Sequence, residues 1–235
     1  MNKIKLILLV FGLLLIQISS LKSQITVVGT EKVIDKLRLN QGIEGKENIL
    51  YHDIQGDPYI FKDFQKGTLI AISDEKFNVN VRYDVYANEM HLKDSNEIFA
   101  IIRPEKVKLI EAGNLKFIYS LYVKSSGEEN TRGSSYFVLN TDGKCKLLIK
   151  KNVRVQDAEP PKLYTEAKPA KFILTSDTYY LKLDDNIAVK IGNKKELLAV
   201  LEDKKEAISN FIGSKKLNVK DIEDLVSIIS YYNGL

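Results

Sequence analysis

The residues in this chain that could do chemistry are few, and His52-Asp53 is the most site-like pair among them. An acid next to a histidine can orient the imidazole as a general base for a serine hydroxyl, which is the chemistry of a hydrolase. Ser125, Ser126, Ser134 and Ser135 are the serines available to it, but no spacing selects one of them, so a hydrolase using His52 is one reading among several. The only other histidine is His91, and neither lies in an H-E-x-x-H pattern. The sequence also lacks a G-x-S-x-G elbow, a phosphate-cradling glycine loop and a C-x-x-C pair.

Cys145 is the single cysteine, set between the turn Thr141-Asp142-Gly143-Lys144 and the apolar run Leu147-Leu148-Ile149. With no base in its local sequence it reads as a half-buried strand thiol and not as a nucleophile. Asp184-Asp185 lacks the alternating oxygens and distal glutamate of a calcium loop and reads as a turn. A polysaccharide site would need an aromatic platform, and with no tryptophan that falls to tyrosine or phenylalanine. Tyr83 has the spacing of a core residue, whereas Tyr86, Tyr179 and Tyr180 are placed to face outward. Lys150-Lys151 with Arg154 reads as a solvated strand face. The sequence therefore assigns no catalytic residue, no metal ligand and no cofactor, and singles out no ligand-binding residue.

The elements that must position these groups are mostly strands. Phe77, Val79, Val81, Tyr83 and Val85 occupy every second position, with Asn78, Asn80, Arg82 and Asp84 between them, so one face is apolar and the other polar. Ala87-Asn88 offers a turn, after which Met90 and Leu92 resume the alternation as a hairpin. Ile98 to Ile102 is a continuous apolar run, as of a strand covered on both faces. Gly113-Asn114 and Asp142-Gly143 mark two further hairpins. Eight to ten short strands at regular spacing are the cadence of an antiparallel sandwich, barrel or curved sheet.

Pro160, Pro161 and Pro169 break this cadence, making 157–170 a linker or a strap over the sheet. Beyond residue 191 the period changes to that of a helix. Asn193 is placed as an N-cap with Glu196 as its capping-box partner, and Gly213 as the stop. Asn218 is placed to cap a second helix ending at Gly234, which gives an antiparallel helical hairpin. The expected fold is α+β: a mainly antiparallel curved sheet or barrel over 24–191, with a C-terminal helical hairpin over 192–235 packed on the same domain.

Residues 1–23 are set apart. Lys3 and Lys5 precede an apolar run from Leu6 to Ile18, followed by Ser19, Ser20 and Ser23, the pattern of a cleaved signal peptide. The run of about 13 residues is shorter than the roughly 20 that a spanning helix needs. No cysteine at its end invites lipid attachment, and no later segment is apolar enough to cross a membrane. The expected address is outside the cytoplasm, periplasmic or extracellular, with peripheral attachment to the outer membrane as an option. Lys3, Lys5 and Lys22 lie in this segment and no acid does, so the formal charge of +4 falls to +1 without it. A near-neutral body with interleaved lysines and acids lacks the concentrated positive patch of a nucleic-acid binder.

Several short stretches, among them Tyr51-His52-Asp53, Arg82-Tyr83-Asp84-Val85-Tyr86-Ala87-Asn88-Glu89-Met90, Glu159-Pro160-Pro161 and Tyr231-Tyr232-Asn233, resemble a family of small exported β-rich proteins of Gram-negative bacterial envelopes. The resemblance implies export and a β-rich body with a helical tail, and it brings no catalytic residue with it. The leading expectation is a non-enzymatic envelope protein acting by protein interaction or as a structural module. A second is a carrier of an apolar ligand or lipid in a cavity lined by Phe77, Val81 and Phe117, and the third is the His52 hydrolase.

Overall fold

A computed structural model describes residue 51 and residues 54–95, 97–123, 132–161 and 166–235. Among these residues ten strands form one sheet, in the order β10-β9-β8-β7-β6-β5-β1-β2-β3-β4. Strands β1 (Gln65–Ala71), β2 (Lys76–Asp84), β3 (Glu89–Asp94) and β4 (Glu97–Ala100) make a first antiparallel meander. A short 3-10 turn over Pro104–Lys106 leads into β5 (Val107–Ala112), which returns beside β1. A second meander then runs through β6 (Leu115–Val123), β7 (Arg132–Thr141), β8 (Cys145–Gln156), β9 (Lys171–Leu183) and β10 (Ala188–Ile191). The last strand closes on β6 in parallel, Ala188 opposite Tyr122 and Val189 opposite Val123. Strands β6 to β10 thus form a five-stranded ring, and β5 with the first meander extends from it as a curved sheet.

The alternation at Phe77 to Tyr83 has the expected consequence: Phe77, Val81 and Tyr83 are buried, while Asn78 and Asn80 are exposed. The apolar run at Ile98 forms β4, where Phe99 and Ala100 are buried although the strand is last in the sheet. Shared strands separate the cores, because successive side chains take opposite faces. On β6, Phe117 and Tyr119 pack with Phe77, Val81 and Ile110, while Ile118 and Tyr122 pack inside the ring with Phe137, Leu148 and Tyr180. The helices cover the outer face of β8 and β9, over Cys145, Leu147 and Leu181.

The segment 157–170 joins β8 to β9. Gln156 and Lys171 are register partners at its base, and Glu159 and Lys168 exchange backbone hydrogen bonds of 2.8 and 3.0 Å above it. Its two described ends therefore pair with each other as the antiparallel β8–β9 hairpin is extended beyond its strands.

The helical tail differs in detail from the expected pair. Asn193 caps α1 (Lys194–Val200) by accepting from the Glu196 N–H at 3.0 Å, but the Glu196 carboxylate reaches back to the Gly192 N–H at 2.7 Å and not to the cap residue. The helix stops at Leu201 (φ −101°, ψ 39°), passes through a 3-10 turn over Glu202–Lys204, and resumes as α2 (Lys205–Lys215). Lys216, at φ 54°, ends α2, so Gly213 is not its stop. The last helix, α3 (Ile222–Asn233), is capped by Asp221 and not by Asn218; Asn218 instead accepts from the Lys220 N–H in a turn of its own. Asn and Asp are about equally good caps, so composition alone does not choose between them.

Candidate functional site

His52, Asp53, Ser125 and Ser126 lie outside the described residues, as do 1–50. His91 is on β3, 1 % exposed, with Nε2 3.3 Å from a Glu89 carboxylate oxygen and its ring edge-on to Tyr59. Ser134 and Ser135 are adjacent on β7. The Tyr119 hydroxyl donates to Ser134 Oγ at 2.7 Å, and Ser135 Oγ donates to Asn88 Oδ1 at 2.8 Å. Cys145 is fully buried, and that burial pushes its thiol up to about 12, so it stays protonated at any physiological pH. Asp184, at φ 48°, forms the β9–β10 turn. Among the described residues no group of three or more His, Cys, Asp or Glu side chains is assembled to hold a metal ion.

The tyrosines divide differently from the sequence expectation. Tyr86 is exposed and Tyr179 half-buried, but Tyr180 is only 4 % exposed, because closure of the ring places it against Phe137 and Tyr122. Tyr86 makes edge contacts with Tyr51 and Phe172. Beneath this cluster lies Asp84, 1 % exposed, which accepts from the Ala87 N–H at 2.9 Å and the Tyr51 hydroxyl at 3.0 Å. Burial raises the Asp84 carboxyl above its ordinary value, and those two hydrogen bonds work against the rise.

Asn88 is the hinge between the two meanders. Held at φ 57° in the β2–β3 turn, it accepts from the Tyr136 N–H at 3.1 Å and donates to the Ser134 carbonyl at 3.3 Å. Its side-chain amide thereby occupies the place a neighbouring strand would take beside β7. Tyr83 adds a hydroxyl donation to the same Oδ1 at 3.0 Å.

Two concavities of opposite character result. One, of about 370 Å³, runs between α1 and the β9–β10 hairpin, with walls of Leu181, Leu183, Ile187, Val189, Ala199 and Val200. The other, of about 220 Å³, lies where the β2–β3 turn meets β7 and β8, and presents Tyr122, Ser134, Lys150 and Lys151. A broader depression of about 810 Å³ at the α1–α2 junction has a mixed-charge lining, including Glu202, Asp203, Lys204 and Lys205. Phe77, Val81 and Phe117, expected to line a ligand cavity, are at most 4 % exposed and pack in the core.

Sequence reasoning missed both the groove and the polar pocket. Val189 and Ala199 belong to elements too short for periodicity to reveal a shared wall. Lys150 read as a solvated face, and only ring closure half-buries it. Among the described residues no helix is long and apolar enough to cross a membrane. No family model matches this chain, and neither does any curated protein or solved structure.

Proposed function

We propose that this protein is an exported, non-enzymatic binding module of the cell envelope that engages a partner protein through the apolar groove beside its terminal helices. The observation that carries this reading is the groove itself, because Ile187, Val189 and Val200 keep apolar surface partly open to water beside a well-filled core. Covering such surface is favourable at about 25 cal/mol per Å². A fully buried leucine or phenylalanine from a partner contributes about 1.5–3 kcal/mol, so two or three such anchors support micromolar binding only when polar contacts at the rim add to them. Lys190 and Glu196 stand at that rim. Export is supported by the basic, apolar and small-residue succession in residues 1–23.

A carrier of an apolar ligand is the second reading, favoured by the groove's volume of about 370 Å³. That lies at the low end of the roughly 300–1,000 Å³ of small-molecule sites, so it suits a short acyl chain or a few partner side chains. Native mass spectrometry of the full chain recovered from the envelope of an expressing cell tests both. A bound polypeptide mass lost in Ala199→Trp, which fills the groove, is the expected result. A bound small apolar mass lost in the same variant favours the carrier, and bound species unaffected by the variant overturn the groove as the site.

A further inference from the structure

We propose that the polar pocket between the β2–β3 turn and strands β7 and β8 is a binding site for a small oxyanion, a carboxylate or phosphate group on a polar body, with Lys150 as its cation. It shares no lining residue with the apolar groove, so it stands or falls independently of partner binding there.

The charge balance is the first argument. Among the described residues two lysines and no acidic residue line the pocket. Lys151 is already answered, its Nζ 2.7 Å from an Asp177 carboxylate oxygen. Lys150 Nζ has one hydrogen-bond partner among the described residues, the neutral Asn152 Oδ1 at 3.3 Å, and no carboxylate in ion-pair range. A half-buried ammonium without a counter-charge is costly to the fold, and an anion entering the pocket would supply that charge. Burial accordingly pulls the Lys150 ammonium below its ordinary value.

Neutral donors converge on the same space. Ser134 Oγ accepts from Tyr119, which leaves its own proton free to donate. The Tyr122 hydroxyl makes no hydrogen bond within the described residues, and burial keeps it protonated. Tyr122 is held in place by its cross-strand partner, Gly133: a Cβ there would lie 2.9 Å from Tyr122 Cζ and 3.0 Å from its hydroxyl oxygen. Opposite them, the bulge in β8 between Lys150 and Asn152 re-aims the lysine, and Asn88 fixes the remaining wall to β7. A volume of about 220 Å³ is below that of drug-sized sites, which restricts the ligand to something small.

Isothermal titration of the purified protein at low salt with inorganic phosphate, glucuronate and glucose tests the assignment. Saturable binding of phosphate, glucuronate or both, with none of neutral glucose, is expected. Whichever anion saturates identifies the group as phosphate or carboxylate. Lys150→Met should weaken that binding by about tenfold or more without lowering the thermal midpoint, because it removes a charge the fold does not pair. Gly133→Ala should weaken it through Tyr122, and Lys66→Met, at an exposed position on β1, should leave it unchanged. The proposal is overturned if neither anion saturates at concentrations up to about 10 mM, or if Lys150→Met binds as the parent does.

Discussion

The side-chain amide of Asn233 pairs with the backbone of Cys145 in both directions: the Cys145 N–H donates to Oδ1 at 2.8 Å, and Nδ2 donates to the Cys145 carbonyl at 2.9 Å. The end of α3 is thereby tied to the start of β8. Beside it the Tyr232 hydroxyl donates to Asp203 at 3.0 Å, and Lys144 pairs with the same carboxylate at 2.8 Å. The same device appears at Asn88, whose amide pairs with β7, so the fold is closed at both ends by an asparagine acting as a short length of strand.

Asn233→Ala should therefore destabilise the protein by about 2 kcal/mol, since it removes the two hydrogen bonds to Cys145 and a longer one to the Asp142 carbonyl at 3.4 Å, and leaves buried backbone groups at Cys145 without partners. Urea denaturation is the measurement. Asn233→Asp should cost at least as much, because a carboxylate cannot donate to the Cys145 carbonyl.

Tyr83 and Tyr136 are edge-packed neighbours in the core and should respond oppositely to loss of the hydroxyl. Tyr83 donates to Asn88, whereas the Tyr136 hydroxyl is buried with no hydrogen-bond partner among the described residues. Tyr83→Phe should cost about 1 kcal/mol, and Tyr136→Phe should be neutral or stabilising by up to about 1 kcal/mol. Denaturation midpoints of the two variants compared with the parent check this directly.

At Gly67 the β1 backbone lies close against β5. Gly67 is the register partner of Ala112, and a Cβ at this position would fall onto the Glu111 carbonyl oxygen. That oxygen belongs to the backbone and cannot swing away, so Gly67→Ala must push β1 and β5 apart. A loss of about 3 kcal/mol, near the upper end for an overpacked site, is expected from thermal or chemical unfolding.

What could be read from the sequence were the features set by neighbours in the chain. The alternation through Phe77, Val81 and Tyr83, the Asp142-Gly143 turn and the Asn193 cap all appear where local rules put them. What could not be read were the pairings between distant segments. Nothing near Ala188 says that it will lie parallel to Tyr122, and nothing near Val107 says that β5 will return past β2 to β1. The candidate sites inherit that blindness. The half-burial of Lys150 and the shared wall of Val189 and Ala199 exist only once the ring has closed and α1 has docked on it.

The pH response should carry the signature of Asp84. Its carboxyl is raised by burial, so its contribution to stability is fully present below the unfolded value of about 4 and is lost as pH rises through the folded value. Asp84→Asn removes this dependence. The variant should be less stable than the parent near pH 4 and should close or reverse that gap toward pH 7, as read by urea midpoints at a series of pH values. Taking the difference between the two proteins cancels Asp142 and Asp203, whose carboxyls are held low mainly by Lys146 and Lys144.

The most direct test of partner binding is site-specific photocrosslinking in the envelope of an expressing cell, with benzoylphenylalanine in place of Ala199 on the groove wall or of exposed Lys66 on β1. A discrete protein adduct from position 199 that is missing from position 66 is the predicted result. The same adducts from both positions, or none from 199, would contradict it.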